Sequence, residues 1–266
     1  MIRTWLGGIL VLGVALGAVP RATAEKPAAT QAVIPFAPGE ECNFVVKFGF
    51  VKAGTATLAV QNSKRQSKEP LFRLISSAKS SRFFSTFFLV DDLVESHWSP
   101  NTLLPEFFEK RIREGKYKKD ETIRFDQEAG KAHYQNGEVS QMTPYSQDVL
   151  SAFYYVRTQP LRVGSTISIP SHTDGKNYPL EVKIMRKEKI KVKAGTYNCF
   201  VVEPLLKSAG LFKQEGRLTI WITDDARRIP VLMKSKVAVG SIVAELESYR
   251  PGRRGPAMRQ HERAGS

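Results

Sequence analysis

The sequence predicts a mainly β protein, a strongly curved antiparallel sheet or barrel that carries two short helices. Three observations lead there. Short runs rich in Val, Ile, Thr, Phe and Tyr fill most of the chain after residue 40, as pleated surfaces prefer. Turn residues break these runs at intervals of about ten positions. Only two stretches place apolar residues at helical spacing. About a dozen strands in such a meander must curl or close, because a long flat sheet leaves its edges unpaired. Two packed sheets are the alternative.

The elements follow in order. "CNFVVKFG" (42–49) and "GTATLAVQ" (54–61) are strands, and Gly54 reads as a position where another backbone passes closely. "LFRLISSAKS" (71–80) alternates Phe72, Leu74, Ser76 and Ala78 on one face. "SSRFFSTFFLVDD" (80–92) starts with serine caps and spaces Phe83, Phe84, Phe87 and Phe88 three to four apart, which predicts the first helix. "EFFEKRIREG" (106–115) sets Phe108, Lys110 and Ile112 against Phe107, Glu109 and Arg111. "DETIRFDQEAGKAHYQNGEV" turns at Glu128-Ala129-Gly130 and again at Asn136-Gly137. "SQDVLSAFYYVRT" (146–158) predicts the second helix, with Val149, Ala152, Phe153 and Val156 on one stripe and Pro160 ending it. Strand patterns return from "STISIP" to "SIVAELESY".

The ends read differently. Arg3, an apolar run from Trp5 to Val19, and small residues at Ala22 and Ala24 form the pattern of a secretory signal peptide cut after Ala24. A retained anchor is the rival, but the run is shorter than the roughly 20 apolar residues a bilayer needs. Residues 25–37 read as a mobile Pro/Ala-rich lead-in, 38–249 as a single β domain and 250–266 as a disordered basic tail. The chain carries a formal charge of +14. In an exported protein its anionic partners are headgroups or acidic polymers rather than nucleic acid, for which no reading motif is present. The tail is the part expected to meet an anionic membrane surface. Cys42 and Cys199 are open to two readings, a disulfide or two buried thiols. No cofactor or metal motif is present.

Five stretches resemble, in order and spacing, the exported bacterial proteins grouped as domain of unknown function 3108. They are "PGEECNFVVKFGFVKAGTATLAV", "VDDLVESHWSPNTLLPEFFEKRIREGKYKKDETIRFD", "QDVLSAFYYVRTQPLRVGSTISIP", "KAGTYNCFVVEP" and "GLFKQEGRLTIWITDDARRIPVLMKSKVAVGSIVAELESY". Together they cover most of residues 38–249. The resemblance implies a periplasmic or envelope location. By fold analogy it also implies a sheet similar to the lipocalin or lipoprotein-carrier type.

Each candidate site also has a plainer reading. Asp224-Asp225, between "RLTIWIT" and "IPVLMKS", is either a hairpin turn or a carboxylate dyad; the turn is favoured because adjacent strand residues face opposite ways. Asp91, Asp92, Glu95 and His97 form an acid–His cluster in which Glu95 and His97 share a strand face; it is an acid/base couple, a partial metal site lacking a third ligand or, the favoured reading, a solvated strand face. Phe83, Phe84, Phe87 and Phe88 have two readings: the curved sheet wraps the helix and takes every one as core, or some line a cavity or cap its mouth, with Phe153 and Tyr154 plugging the same opening. Arg111 and Arg113 either meet an anionic headgroup beside it or, as is commoner, lie on a solvated hairpin tip. The function expected is non-catalytic binding of an apolar or amphiphilic envelope ligand. A structural or assembly role stands second, and a glycan-acting enzyme using Glu95 and Asp225 third.

Overall fold

The computed structural model describes residues 33–206, 218–236 and 240–253. The predicted signal peptide, most of the lead-in and the tail beyond Arg253 lie outside the described residues. The strands run β1 (Glu41–Phe48), β2 (Val51–Asn62), β3 (Phe72–Ser80), β4 (Asp91–Trp98), β5 (Pro105–Glu114), β6 (Tyr117–Asp126), β7 (Lys131–Tyr134) and β8 (Val139–Gln141). They continue with β9 (Thr166–Thr173), β10 (Lys176–Val192), β11 (Gly195–Leu206), β12 (Leu218–Thr223), β13 (Pro230–Lys236) and β14 (Ser241–Arg250). Helix α1 (Arg82–Ser85) joins β3 to β4, and α2 (Val149–Thr158) joins β8 to β9.

All fourteen strands form one antiparallel sheet, in the order β8-β7-β6-β5-β4-β3-β2-β1-β14-β13-β12-β11-β10-β9. Each half is a simple meander, and the first and last strands pair at the centre, Glu41 opposite Arg250 and Phe48 opposite Ile242. Extra residues in the ladders, Ala53 of β2, Glu106 of β5, Met185 of β10 and Val231 of β13, bend the strands locally. The sheet is curved and not closed into a ladder-bonded barrel. Alternation decides its faces. Cys42, Phe44 and Val46 point inward from β1, and Phe108, Lys110 and Ile112 from β5, as the sequence pattern predicts. Gly54 permits the close approach expected of it: a Cβ there would lie 2.1 Å from the Lys79 carbonyl oxygen.

The curl brings the two free edges together through side chains, and β9 is further held by one backbone bridge, Ser171 with Gln147. The β9–β10 turn lies against β5 to β8. The buried Lys110 ammonium meets Asp174 at 2.6 Å and Glu121 at 3.0 Å, and Lys119 also pairs with Asp174. Tyr134 O–H lies 2.8 Å from His172 Nε2 and accepts from Gly175 N–H, while His172 Nδ1 lies 2.9 Å from Asn177 Oδ1. Since that oxygen only accepts, Nδ1 carries the ring proton and Nε2 accepts from tyrosine. Asn177 Nδ2 completes the seam by donating to the Gln141 carbonyl.

Helix α2 lies inside the curl, in contact with β9 on one side and β3 and β4 on the other. Its start is fixed by a capping box: Asp148 accepts from Leu150 N–H and Ser151 N–H at 2.8 Å each, and Ser151 Oγ accepts from Asp148 N–H. The same carboxylate accepts from Ser96 Oγ on β4 at 2.6 Å. At the other end Arg157, 2% exposed, is held by Glu40 through two bonds of 2.8 and 3.1 Å. It also donates to the carbonyls of Arg227 and Arg228 in the β12–β13 turn. Leu150, Tyr154 and Arg157 form the stripe against the first half of the sheet. Tyr154 meets Phe36 with ring centroids 4.9 Å apart, and Arg157 lies over both rings.

Three expectations are corrected. The helix predicted over 80–92 is the four-residue α1, capped by Ser81. Its phenylalanines find no core to face, because α2 fills the inner side of the sheet, and the chain is already bonded to its neighbours at Val90. The lead-in gives way to structure earlier than residue 38: Phe36 and Ala37 are buried. The start of the predicted tail is tied down, with Arg253 N–H bonded to the Pro38 carbonyl at 2.9 Å. The two cysteines are both buried free thiols, pushed up to about 12 by burial.

Glu95 and His97 do share a face, the outer one, but it is not solvated. The segment 63–70 folds over it. Ser63 Oγ meets His97 Nδ1 at 2.7 Å, Arg65 covers the Phe107 ring, and Arg73 pairs with Glu95. Burial, reinforced by the Arg65 charge, pulls the His97 pKa from 6.5 down to about 4.

Two tests follow from these contacts. Arg157→Met leaves the Glu40 carboxylate buried without its partner and should cost about 3–5 kcal/mol, read as a lower urea midpoint. Adding Glu40→Gln to that chain should restore part of it. A ¹H NMR titration should place the His97 midpoint near pH 4. The unfolded chain takes up this proton first as the pH drops. The His97 contribution to stability is therefore complete above pH 6.5 and lost as the pH falls through 4.

Candidate functional site

A hollow of about 110 Å³ lies between α2 and the second half of the sheet. The helix presents Val149, Ala152, Phe153 and Val156 to it, the stripe that the 3.6-residue spacing predicts. The opposite wall is built by inward positions of β10 to β13, among them Val182, Val202, Ile220, Ile222 and Met233, and Leu58 of β2 closes one side. Strand alternation explains why these residues converge: each lies on the inward parity of its strand. The lining is apolar except at Ser171, Thr173 and Tyr178.

Tyr178 is the chemically distinct member. Its hydroxyl is buried and has no hydrogen-bond partner among the described residues. Burial, then the nearby Asp174 charge, pushes its pKa up to about 12, so the group is a neutral phenol. An unpaired buried hydroxyl costs about 1–3 kcal/mol. A ligand atom that bonds it recovers part of that.

The residues singled out in the sequence separate in space. Phe153 lines the hollow. Its neighbour Tyr154 points to the opposite side of α2 and is packed in the core, its hydroxyl 3.5 Å from the Ala59 carbonyl oxygen. Phe83, Phe84, Phe87 and Phe88 are not among the residues lining the hollow. Phe83 and Phe87 are exposed, and Phe88 rests on Gly115. Arg111 and Arg113 sit on the outward parity of β5, with Arg113 2.7 Å from Asp120 and Arg111 3.8 Å from Asp91. They therefore face away from the hollow. Tyr178, Val202 and Met233 were missed because single strand positions carry no mark of which stretch of inner face α2 leaves uncovered.

The two aspartates form a turn. Asp225 accepts from Thr223 Oγ1 at 2.8 Å and Arg227 N–H at 2.9 Å, and pairs with the Arg227 guanidinium. Burial works to raise its pKa, and these donors outweigh it and hold the carboxyl below its ordinary value. Asp224 instead meets Lys187 at 2.6 Å. Glu95 lies on β4, six strands across the sheet from β12, already engaged by Arg73. Nothing in the sheet brings Glu95 and Asp225 across a common cleft. Among the described residues no three His, Cys, Asp or Glu side chains are grouped to hold a metal ion, and no helix is long and apolar enough to cross a membrane.

Three known structures align with the chain at low sequence identity. A β-barrel-like protein of domain of unknown function DUF1849 from Brucella abortus superposes with a TM-score of 0.53 at 8% identity, over 82% of this chain and 99% of that one. A candidate exported protein with a YmcC-like fold from Bacteroides fragilis gives 0.36 at 10% identity, over 82% and 98%. A candidate lipoprotein from Parabacteroides distasonis gives 0.35 at 8% identity, over 83% and 100%. The first comparison shows a common fold; the other two carry no argument. No curated protein matches the sequence. The family described as protein of unknown function, DUF3108, matches residues 43–247, and the chain belongs to that family.

Proposed function

We propose that the protein binds an apolar or amphiphilic ligand in the hollow between α2 and the inner face of the sheet, and that it does so in the bacterial envelope. The envelope location rests on the N-terminal pattern of Arg3, the apolar run to Val19 and the small residues Ala22 and Ala24. The observation that carries the binding reading is an apolar hollow lined in part by Tyr178, whose buried hydroxyl has no hydrogen-bond partner among the described residues.

Size narrows the ligand. An enclosed apolar space of about 150 Å³ takes a benzene ring, and sites for drug-sized molecules run to about 300–1,000 Å³. At about 110 Å³ the hollow admits a short apolar group, not a whole lipid. Admitting more requires α2 to move, against buried bonds at both its ends. The ligand that fits is an amphiphile inserting one apolar end, with Tyr178 O–H bonded to a polar atom near it. A medium-chain fatty acid has this form.

Two variants test this reading. Ala152→Leu fills the hollow from α2 and should abolish binding of dodecanoate or of the fluorophore N-phenylnaphthylamine, with thermal stability kept or raised. Undiminished binding by the filled variant, or a ligand-free mass and no uptake of either probe in native mass spectrometry without detergent, would exclude the hollow as the site. Tyr178→Phe should weaken dodecanoate by about 2- to 10-fold while leaving N-phenylnaphthylamine unchanged, without loss of folding stability, because the hydroxyl it removes has no protein partner.

A further inference from the structure

We infer a second binding surface: the end of the sheet formed by the β1–β2, β3–β4 and β5–β6 connections is built to lie on an anionic lipid surface. This inference does not depend on the hollow holding any ligand. Antiparallel order puts these three connections side by side at one end of the sheet. They are bonded to one another and to β14. Gly49 N–H donates to the Ser241 carbonyl, Ser81 N–H to that of Ala53, and Gly115 N–H to that of Leu89, at 3.2, 2.7 and 2.8 Å.

This rim is apolar where a soluble edge is normally polar. Phe50 at the first tip is fully exposed, at 104% of its reference area, with Val51 beside it. Phe83 and Phe87 on the second are 66% and 76% exposed, their centroids 5.5 Å apart, and Leu89 follows. Tyr117 continues the row on the third. The backbone bonds and the Phe88 contact with Gly115 fix the tips, so the rings are presented by a rigid edge.

The charges interleaved with these rings name the occupant. Lys52, Lys79, Arg82, Lys116 and Lys118 are all exposed here. Among the described residues only Lys79 of these five has an ion pair, with Asp91 at 3.7 Å. Asp91 is shared with Arg111, and Asp120 is taken by Arg113, so the rim is left with an excess of positive charge. Aromatic rings among unpaired cations, on a row of protruding tips, match the boundary between acyl chains and anionic headgroups. A protein partner would instead be expected to seat its anchor side chains in a pocket, which protruding tips are not.

The test uses the full chain with one reporter at a time. Phe50→Cys is labelled with nitrobenzoxadiazole; Cys42 and Cys199 are buried thiols and do not compete. Gln66→Cys, exposed in the β2–β3 connection at the opposite end, is the control. On vesicles of phosphatidylethanolamine with phosphatidylglycerol at low salt, the label at 50 should shift to the blue and brighten while the label at 66 does not, and high salt should reverse the shift. Phe83→Ser with Phe87→Ser should weaken vesicle partitioning about tenfold with an unchanged circular dichroism spectrum. An unshifted label at 50, an equal shift at 66, the same response on phosphatidylcholine alone, or unaltered partitioning of the double variant would each overturn the inference. The first of these results would leave a protein partner as the reading of the rim.

Discussion

Arg157 and Glu40 meet inside the protein, each almost wholly removed from water, and the arrangement of the molecule turns on that contact. The guanidinium closes four bonds at once: two to Glu40 ahead of β1, and two to carbonyls of the β12–β13 turn. It therefore ties α2 to the centre of the sheet and to its second half in one step. Asp148 ties the other end of the helix to β4, in the first half of the sheet, through Ser96. A curved sheet with free edges has no intrinsic reason to stop at one curvature. The helix, pinned at both ends by charged groups that cannot be left unpaired, sets that distance.

From this strut follow both the hollow and its modest size. One stripe of α2 is consumed by Phe36, Leu74, Trp98 and their neighbours in the core. The other stripe faces walls that curve away from it, and the gap is what remains. The inner face is not uniformly oily: Lys110 lies buried on it, paired with Glu121 of β6 and with Asp174, which the β9–β10 turn brings in. The edge-to-edge seam is thus electrostatic and hydrogen-bonded where a closed barrel would use backbone ladders. That explains how the sheet can be barrel-like in outline and open in its bonding.

Much of this was legible in the residues. Alternation in "EFFEKRIREG" assigned the faces of β5 correctly, lysine included. The stripe Val149, Ala152, Phe153, Val156 named the helical wall of the hollow, and Asp224-Asp225 read rightly as a turn. Local pattern reaches that far because strand parity and helical period are local properties. It misled at Phe83 to Phe88, where helical spacing holds but only Phe84 and Phe88 are partly covered and Phe83 and Phe87 stay exposed, so the periodicity had no core to act on. It also failed at Glu95 and His97, which share the face expected of them but lie beneath a loop that composition marks as solvent-exposed. Arg111 and Arg113 were drawn to the ligand by charge alone, although the alternation that put Lys110 inside already put them outside. Which apolar strand positions flank a void depends on how far α2 stands from each strand, and no short stretch encodes that distance.

The central pairing of β1 with β14 has a further consequence. Residues about 200 positions apart, such as Asn43 and Ser248, must meet before the two meanders become one sheet. During synthesis each meander can zip hairpin by hairpin, yet the join waits for β14 to emerge. Contacts of such long sequence separation form slowly and carry a large loop-closure entropy. Until then β1 and β13 each offer an open ladder, so the nascent chain passes through a stage in which the middle of its future sheet is exposed to wrong neighbours. A chain truncated shortly before Ser241 would retain both meanders and lack only the strand that unites them.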